Sequence, residues 1–296
     1  MKYNSFFGET EMAEKTIGVL HPGAMGVTVA SSIKAGGHRV IWASEGRSTV
    51  TEKRATDAGL EDVKALSELT RDSDVIISVC PPHAAIDVAR QVINTGFTRV
   101  YADVNAVSPA SSRSIMQIVK ASGAQYVDGG IIGLPAVKAG QTRLYLSGGP
   151  ADEVKALFSQ GNMDAITIGE RPGQASALKM CYAAWTKGSA AMLLAIRGLA
   201  DAEGVTNALL DEWAKSQPGL EDRSRVAAVG MAPKAWRFVG EMEEIAETFR
   251  EAGLPDQFHL GAAALYTLLR EFKDQTGSVQ IEDVLQILKR KSKTTK

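Results

Sequence analysis

The chain has 296 residues, about twice one ordinary domain, and a 45% hydrophobic content that predicts a globular protein with a sizeable core. Its formal net charge of −1 excludes a whole-chain electrostatic case for nucleic acid or an anionic membrane surface. Cys80 and Cys181 form neither a metal spacing nor a disulfide framework, and no apolar run reaches the about 18–20 residues of a membrane span.

The chain opens on "MKYNSFFGETEMAEK", which lacks the apolar core of a secretory signal and reads as a flexible extension over 1–15. Met12 opens "MAEKTIGVL", an equally good start, so the first eleven residues read as an extension or a start-site artefact. With two unpaired cysteines, a reducing compartment, the cytoplasm, is the default.

"TIGVLH" (16–21) is a predicted strand, followed by a helix to about residue 35. "HRVIWA" (38–43), "DVIISVC" (74–80) and "RVYADV" (99–104) repeat the pattern, each separated by a helix-length segment. These Val/Ile runs lack clean alternation, as expected of strands buried on both faces of a parallel sheet. Alternating strand and helix implies right-handed crossovers, hence an α/β domain with a Rossmann-type, doubly wound parallel sheet. "AQYVDGGII" (124–132) and "TRLYLSGG" (142–149) extend the sheet.

The grammar changes at "GERPG" (169–173), a turn-rich junction. No strand is predicted beyond it. Residues 173–204 lack proline and are rich in Ala, Leu and Met, which predicts one helix about 45 Å long that joins two domains or passes between subunits. Shorter helices follow at about 206–216, 221–229, 232–252, 256–273 and 280–291, and the chain ends in a basic tail, 291–296. The domains are therefore placed at 16–172, dinucleotide-binding, and 173–290, all-helical.

A parallel sheet holds its ligand at the carboxyl ends of its strands. The first such turn is His21, Pro22, Gly23, Ala24, Met25 and Gly26, a G-x-x-G in which His21 stands where a third glycine would complete G-x-G-x-x-G. Gly23 lets the backbone approach a pyrophosphate, Gly26 lets the helix pack close, and the helix start offers free N–H groups. His21 precedes Pro22 and so favours extended geometry; a side chain is tolerable there if the turn needs no positive φ. It reads as part of the turn rather than as a catalyst.

The second strand ends in "WASEGRS" (42–48). Ser44, Arg47 and Ser48 suit a 2′-phosphate, favouring NADP, whereas Glu45 could hold ribose hydroxyls, as for NAD; the alternative is a solvated loop. Cys80, Pro81 and Pro82 (in "CPPH") and Asn105 (in "DVNAVSP") end later strands and line the nicotinamide side. Asn105 either bonds a carboxamide or substrate, or simply forms a turn; Cys80 reads as a buried small residue.

Along the long helix, Tyr182, Ala183, Thr186 and Lys187 follow Lys179 at i+3, i+4, i+7 and i+8 and read as one polar face toward a cleft. Two lysines there favour a small anionic substrate, and a neighbouring charge plus burial brings a lysine toward general acid/base range. The alternative for Lys187 is an ion pair with "GEMEE" (240–244).

On these residues the chain resembles the β-hydroxyacid dehydrogenase superfamily, which includes 3-hydroxyisobutyrate and 6-phosphogluconate dehydrogenases. The family fingerprint G-x-x-G-x-G-x-M-G is matched at Gly18, Gly23, Met25 and Gly26, with His21 departing. "VDGGIIGLPAVKAG" matches the substrate stretch D-A-P-V-S-G-G, retaining Asp128 and Gly133 but carrying Ile132 for serine. "LKMCYA" matches K-x-x-x-N, with Ala183 replacing the asparagine. The second half resembles a less characterised branch with its own C-terminal helical domain. The resemblance implies a nicotinamide cofactor, NADP or NAD, and no metal; Lys179 as general acid/base; Gly133 offering its N–H to a β-hydroxy acid; and Ile132, Tyr182, Lys187 and Trp236 shaping the pocket. It also implies a homodimer or higher homo-oligomer. An imine reductase-like enzyme and a non-catalytic nucleotide-binding protein are the alternatives.

Overall fold

The computed structural model describes residues 13–273, 275 and 279–292. Most of the expected extension and basic tail, residues 1–12 and 293–296, lies outside the described residues.

The first half is one eight-stranded sheet: β1 (Thr16–Leu20), β2 (Arg39–Trp42), β3 (Glu61–Asp62), β4 (Val75–Ser78), β5 (Val100–Asp103), β6 (Gln125–Ile132), β7 (Thr142–Ser147) and β8 (Met163–Gly169). The order is β3-β2-β1-β4-β5-β6-β7-β8, and every pair is parallel except β6–β7. Helices α1 (Gly26–Ala35), α2 (Thr49–Asp57), α3 (Leu66–Asp72), α4 (Ala85–Asn94), α5 (Pro109–Ala121) and α6 (Ala151–Ala156) connect the strands. Ile17, Val19, Val75 and Ile77 join α1, α2 and α6 in one core layer, while Leu20, Ile76 and Tyr101 join α3, α4 and α5 in the other. Alternate residues of a strand face opposite sides, so unbroken Val/Ile runs are what two covered faces require.

Sequence reading missed β3 and β8. The first is a two-residue edge pairing. The second lacks an unbroken Val/Ile run, and its exposed alternate positions are Asp164, Ile166 and Ile168, so exposure does not follow polarity.

The sheet hands over to α7 (Gln174–Ala202), a 29-residue helix, followed by α8 (Thr206–Ser216), α9 (Leu220–Met231), α10 (Ala235–Glu251), α11 (Gln257–Leu268) and α12 (Ile281–Ser292). A second core gathers around α7: Met180, Ala183, Ala190, Ala191 and Leu194 pack with Val239 and Met242 of α10, Tyr266 of α11 and Val284 of α12. The fold is thus a Rossmann-type α/β unit followed by an all-α region, as the sequence predicts.

Two devices tie α7 to the sheet. Gly130 on β6 has no room for a side chain: an added Cβ would lie 2.8 Å from the Ala175 carbonyl oxygen and 2.9 Å from the Lys179 Cβ. The adjacent Asp128 is fully buried and accepts five hydrogen bonds, from the hydroxyls of Ser112, Ser147 and Ser176 and from the backbone N–H groups of Gly173 and Ser176. A buried carboxylate is tolerable only when so satisfied, and it sits where the first turn of α7 presents free N–H groups. From the other side α10 returns to the sheet. Glu244 accepts from the Ser108 N–H (2.6 Å) and the Ser111 hydroxyl (3.0 Å) at the start of α5, and Glu251 pairs with Arg113 at 2.8 Å.

Candidate active site

The first βα turn is tight. The Gly23 N–H donates to the His21 carbonyl at 2.6 Å, and a Cβ on Gly26 would fall 2.5 Å from that same oxygen. To close this turn His21 takes φ +61°, the left-handed region. This corrects the expectation of extended geometry at the residue before Pro22. The preference of a residue before proline for extended backbone is local, and the approach of α1 to its own turn overrides it. Pro22 is buried, Ala24 is exposed, and Met25 begins α1 with no side-chain cap on the helix start.

His21 then borders a cleft of about 210 Å³ at the carboxyl ends of β1 and β2, lined also by Glu45, Arg47, Leu66, Val88 and Gln91. Burial first, and the Arg47 charge second, push the His21 imidazole down to about 4, so it is neutral at physiological pH. Its Nδ1 is buried with no protein partner. An uncapped helix start, a turn with no room for a further Cβ, and an orphaned ring nitrogen beside a guanidinium together fit the phosphate-bearing half of a dinucleotide. Ser44 donates its backbone N–H to Asp62 at 3.2 Å. The Ser48 hydroxyl caps α2 by accepting the Thr51 N–H at 3.3 Å, so part of its hydrogen-bonding capacity serves the fold.

At the next strand ends, Asn105 is almost wholly buried, and its amide is already engaged. Its Oδ1 accepts the Cys80 N–H, while its Nδ2 donates to the Ser78 hydroxyl (3.1 Å) and to Asp103 (2.9 Å). It stitches the ends of β4 and β5 together rather than facing outward with a free amide. Burial pushes the Asp103 carboxyl up to about 7 and the Cys80 thiol up to about 12, so Cys80 is no nucleophile. Pro81 and Pro82 lead into one turn of 3₁₀ helix that α10 packs against.

Lys179 lies where α7 crosses β6. Its Nζ donates to the Ile131 carbonyl at 2.7 Å, beside the buried Ile132 and the exposed Gly133. Gly133 has φ +133°, and a Cβ there would strike the Gln141 carbonyl oxygen at 2.5 Å, so only glycine closes this strand end. Desolvation chiefly, then the Lys187 charge, with Glu241 opposing, bring the Lys179 ammonium down to about 8.

The polar stripe expected on α7 divides. At about 100° per residue, Tyr182 falls about 60° to one side of Lys179 and Lys187 about 80° to the other. Lys179, Ala183 and Lys187 turn inward, whereas Tyr182 is 46% exposed among Leu178 and Trp185. Lys187 takes the structural alternative: its Nζ pairs with Glu241 of α10 at 2.9 Å, with side chains only 13% and 14% exposed, and lies 5.3 Å from the Phe238 ring centroid. Trp236, half-exposed, carries the Lys273 ammonium over its ring at 4.6 Å. Sequence reading missed Gln91 and Glu244. A polar residue mid-helix and one acid in an acidic run carry no signal of their own.

Residues 16–160 match the NAD binding domain of 6-phosphogluconate dehydrogenase, and residues 200–269 match a domain of unknown function, DUF1932. An uncharacterised 28.5 kDa protein from the 7S RNA 5′ region of Methanothermus fervidus is 34% identical over 167 residues, 56% of this chain and 64% of that protein. The mitochondrial 3-hydroxyisobutyrate dehydrogenase of Drosophila melanogaster is 26% identical over 151 residues, 50% of this chain and 46% of the relative. The chain therefore matches less than two thirds of the length of these relatives. Among solved structures, a conserved hypothetical protein of Sinorhizobium meliloti 1021 has a TM-score of 0.70 at 24% identity, covering 98% of this chain and 99% of that one. The 3-hydroxyisobutyrate dehydrogenase of Mycobacterium tuberculosis, with L-serine, has a TM-score of 0.69 at 15% identity over 93% and 99%. Among the described residues no helix is long and apolar enough to cross a membrane.

Proposed function

We propose that this chain is a nicotinamide-dependent oxidoreductase of the β-hydroxyacid dehydrogenase superfamily, in a branch whose C-terminal domain has no assigned role, acting on a small β-hydroxy acid or its keto form. The observation that carries the reading is Lys179: a lysine buried at the junction of α7 and β6, anchored on Ile131 and brought down to about 8. In this reading residues 16–172 hold the cofactor, and 173–290 shape the substrate side and the dimer.

The turn from His21 to Gly26 holds the pyrophosphate, and the cleft beside Arg47 holds the adenosine end. Arg47 makes NADP the favoured cofactor over NAD, since a guanidinium matches a 2′-phosphate. The bound nicotinamide supplies the hydride acceptor or donor. Lys179, as the neutral amine, takes the hydroxyl proton of an alcohol being oxidised; as the ammonium it returns that proton to a carbonyl oxygen. Gly133 offers its N–H to the substrate, and Ile132 gives the pocket an apolar wall where the superfamily carries serine.

Oxidation should accordingly rise with pH through about 8 and level off above it, while reduction falls over the same range. Lys179→Ala should lower turnover by about 10²–10⁴ with cofactor affinity intact. Absorbance assays on a panel of hydroxy acids, with cofactor binding measured separately, test both; near-normal turnover in the variant removes Lys179 from this role. Retention of a lysine here disfavours the imine reductase alternative, whose iminium substrate it would repel.

The outer face of α7 supports a homodimer. Leu178, Trp185, Met192 and Leu199 recur every seven residues along it, and each is exposed. An apolar seam of that period, sustained along a whole helix, suits packing against another helix. Sedimentation of the wild type and of Trp185→Glu should give a dimer and a monomer respectively.

A further inference from the structure

We infer that Glu241 is a specificity-determining residue of the site around Lys179: its carboxylate occupies the anion-binding position on Lys187, so that a substrate carboxylate reaches this lysine only by displacing it. This deepens the reading of the Lys179 region as a hydroxy-acid site and rests on it.

The argument is one of charge and placement. Lys187 follows Lys179 by eight positions on the inward side of α7. Without a partner it would be the natural receptor for an acid whose hydroxyl lies at Lys179. Yet the ammonium is 2.9 Å from Glu241, and both side chains are largely buried. Neighbours on α10 and α11 hold Lys187 in place. The Lys187 carbonyl accepts the Tyr266 hydroxyl at 2.8 Å, and the Phe238 ring lies against the ammonium. One turn beyond Glu241, Glu244 is fastened to Ser108 and Ser111, which sets the face that α10 turns toward the sheet. Glu241 is therefore delivered to Lys187 by the same contacts that seat α10. Both charges also act on Lys179, in opposite senses.

A carboxylate that replaces Glu241 gains a charge-assisted bond to Lys187 but leaves a buried carboxylate without its partner, a costly state. Simple monocarboxylates should therefore gain little from Lys187 in the wild-type protein. Replacing Glu241 by its neutral isostere removes the competitor and leaves the ammonium in place.

The test uses two non-reacting probes of nearly identical shape, butanoate and butanamide, titrated by ligand-observed NMR. In the wild type the two should bind within a few-fold of each other. In Glu241→Gln butanoate should bind about tenfold tighter or more, with butanamide unchanged. In the double variant Lys187→Gln/Glu241→Gln, which buries no lone charge, the gain should vanish. An unchanged butanoate-to-butanamide ratio in Glu241→Gln overturns the inference, as does a gain that survives in the double variant. Should Glu241→Gln fail to fold, the double variant still decides. It retains wild-type butanoate affinity if Lys187 is closed to anions in the native protein, and a large loss refutes that. Absence of turnover on every hydroxy acid, with the NMR pattern intact, would instead refute the reaction proposed above.

Discussion

His21 allows a test in which the usual order of two substitutions reverses. At an ordinary position glycine is less stable than alanine by about 0.5–1 kcal/mol, because the glycine chain loses more freedom on folding. At φ +61° an L-residue instead carries a left-handed cost of about 1–2 kcal/mol that glycine does not. His21→Gly and His21→Ala remove the same imidazole, so lost packing cancels between them. Subtracting the entropy term leaves glycine ahead of alanine by up to about 1.5 kcal/mol, about 0.75 kcal/mol at the centre of the range. For a chain of this size the central value corresponds to a melting difference of about 1.5–3 °C, resolvable by thermal denaturation of the two variants side by side. The conformation is enforced by the Gly23 N–H bond to the His21 carbonyl and by the lack of room at Gly26, so it should persist in both. An alanine variant that melts at or above the glycine variant would refute the left-handed turn and the strain argument with it.

Burial of Lys179 costs stability while its folded-state pKa lies below the unfolded value of 10.5. Lys179→Met should therefore stabilise the fold by up to about 3 kcal/mol at pH 7. The gain should shrink as pH rises from about 8 to about 10.5, where only the unfolded lysine still binds a proton; a pH-independent gain in chemical denaturation refutes this. Asp128→Asn removes the charge from five hydrogen bonds and turns an NH₂ either toward two backbone N–H groups that cannot accept or toward two hydroxyls that must reverse to accept it, and should cost about 2–4 kcal/mol, read from the denaturation midpoint. Arg47→Ala should weaken NADP binding about 10–100-fold and NAD binding less than about threefold by calorimetry; an equal loss of both removes Arg47 from 2′-phosphate recognition.

Much of the fold is legible in the sequence because it follows from local period and composition. The buried strands β1, β2, β4 and β5 announce themselves as Val/Ile runs, and α7 as a proline-free stretch of strong helix formers. The bounds of α8 are read at 206–216, where its periodic segment ends before Gln217 and Pro218. The fingerprint turn and Lys179 also stand out, since each depends on a short motif set between recognisable elements. The edge strand β3 does not, because two residues leave no apolar trace, and β8 lacks the unbroken Val/Ile run of the central strands.

Other matters were decided only when separate segments met. Side-chain spacing placed Tyr182 and Lys187 on one broad face, but α10 covers one flank of that face and leaves the other to solvent. The position of Asn105 between two strand ends turned a candidate ligand group into a stitch. His21 carries a sequence preference for extended backbone, and the closure of α1 on its own turn reversed it. Backbone sterics and burial periodicity act within a few residues and can be read along the chain. Hydrogen-bond partners, burial of charge and strain depend on groups brought together across tens to more than a hundred residues, and only the packed structure assigns them.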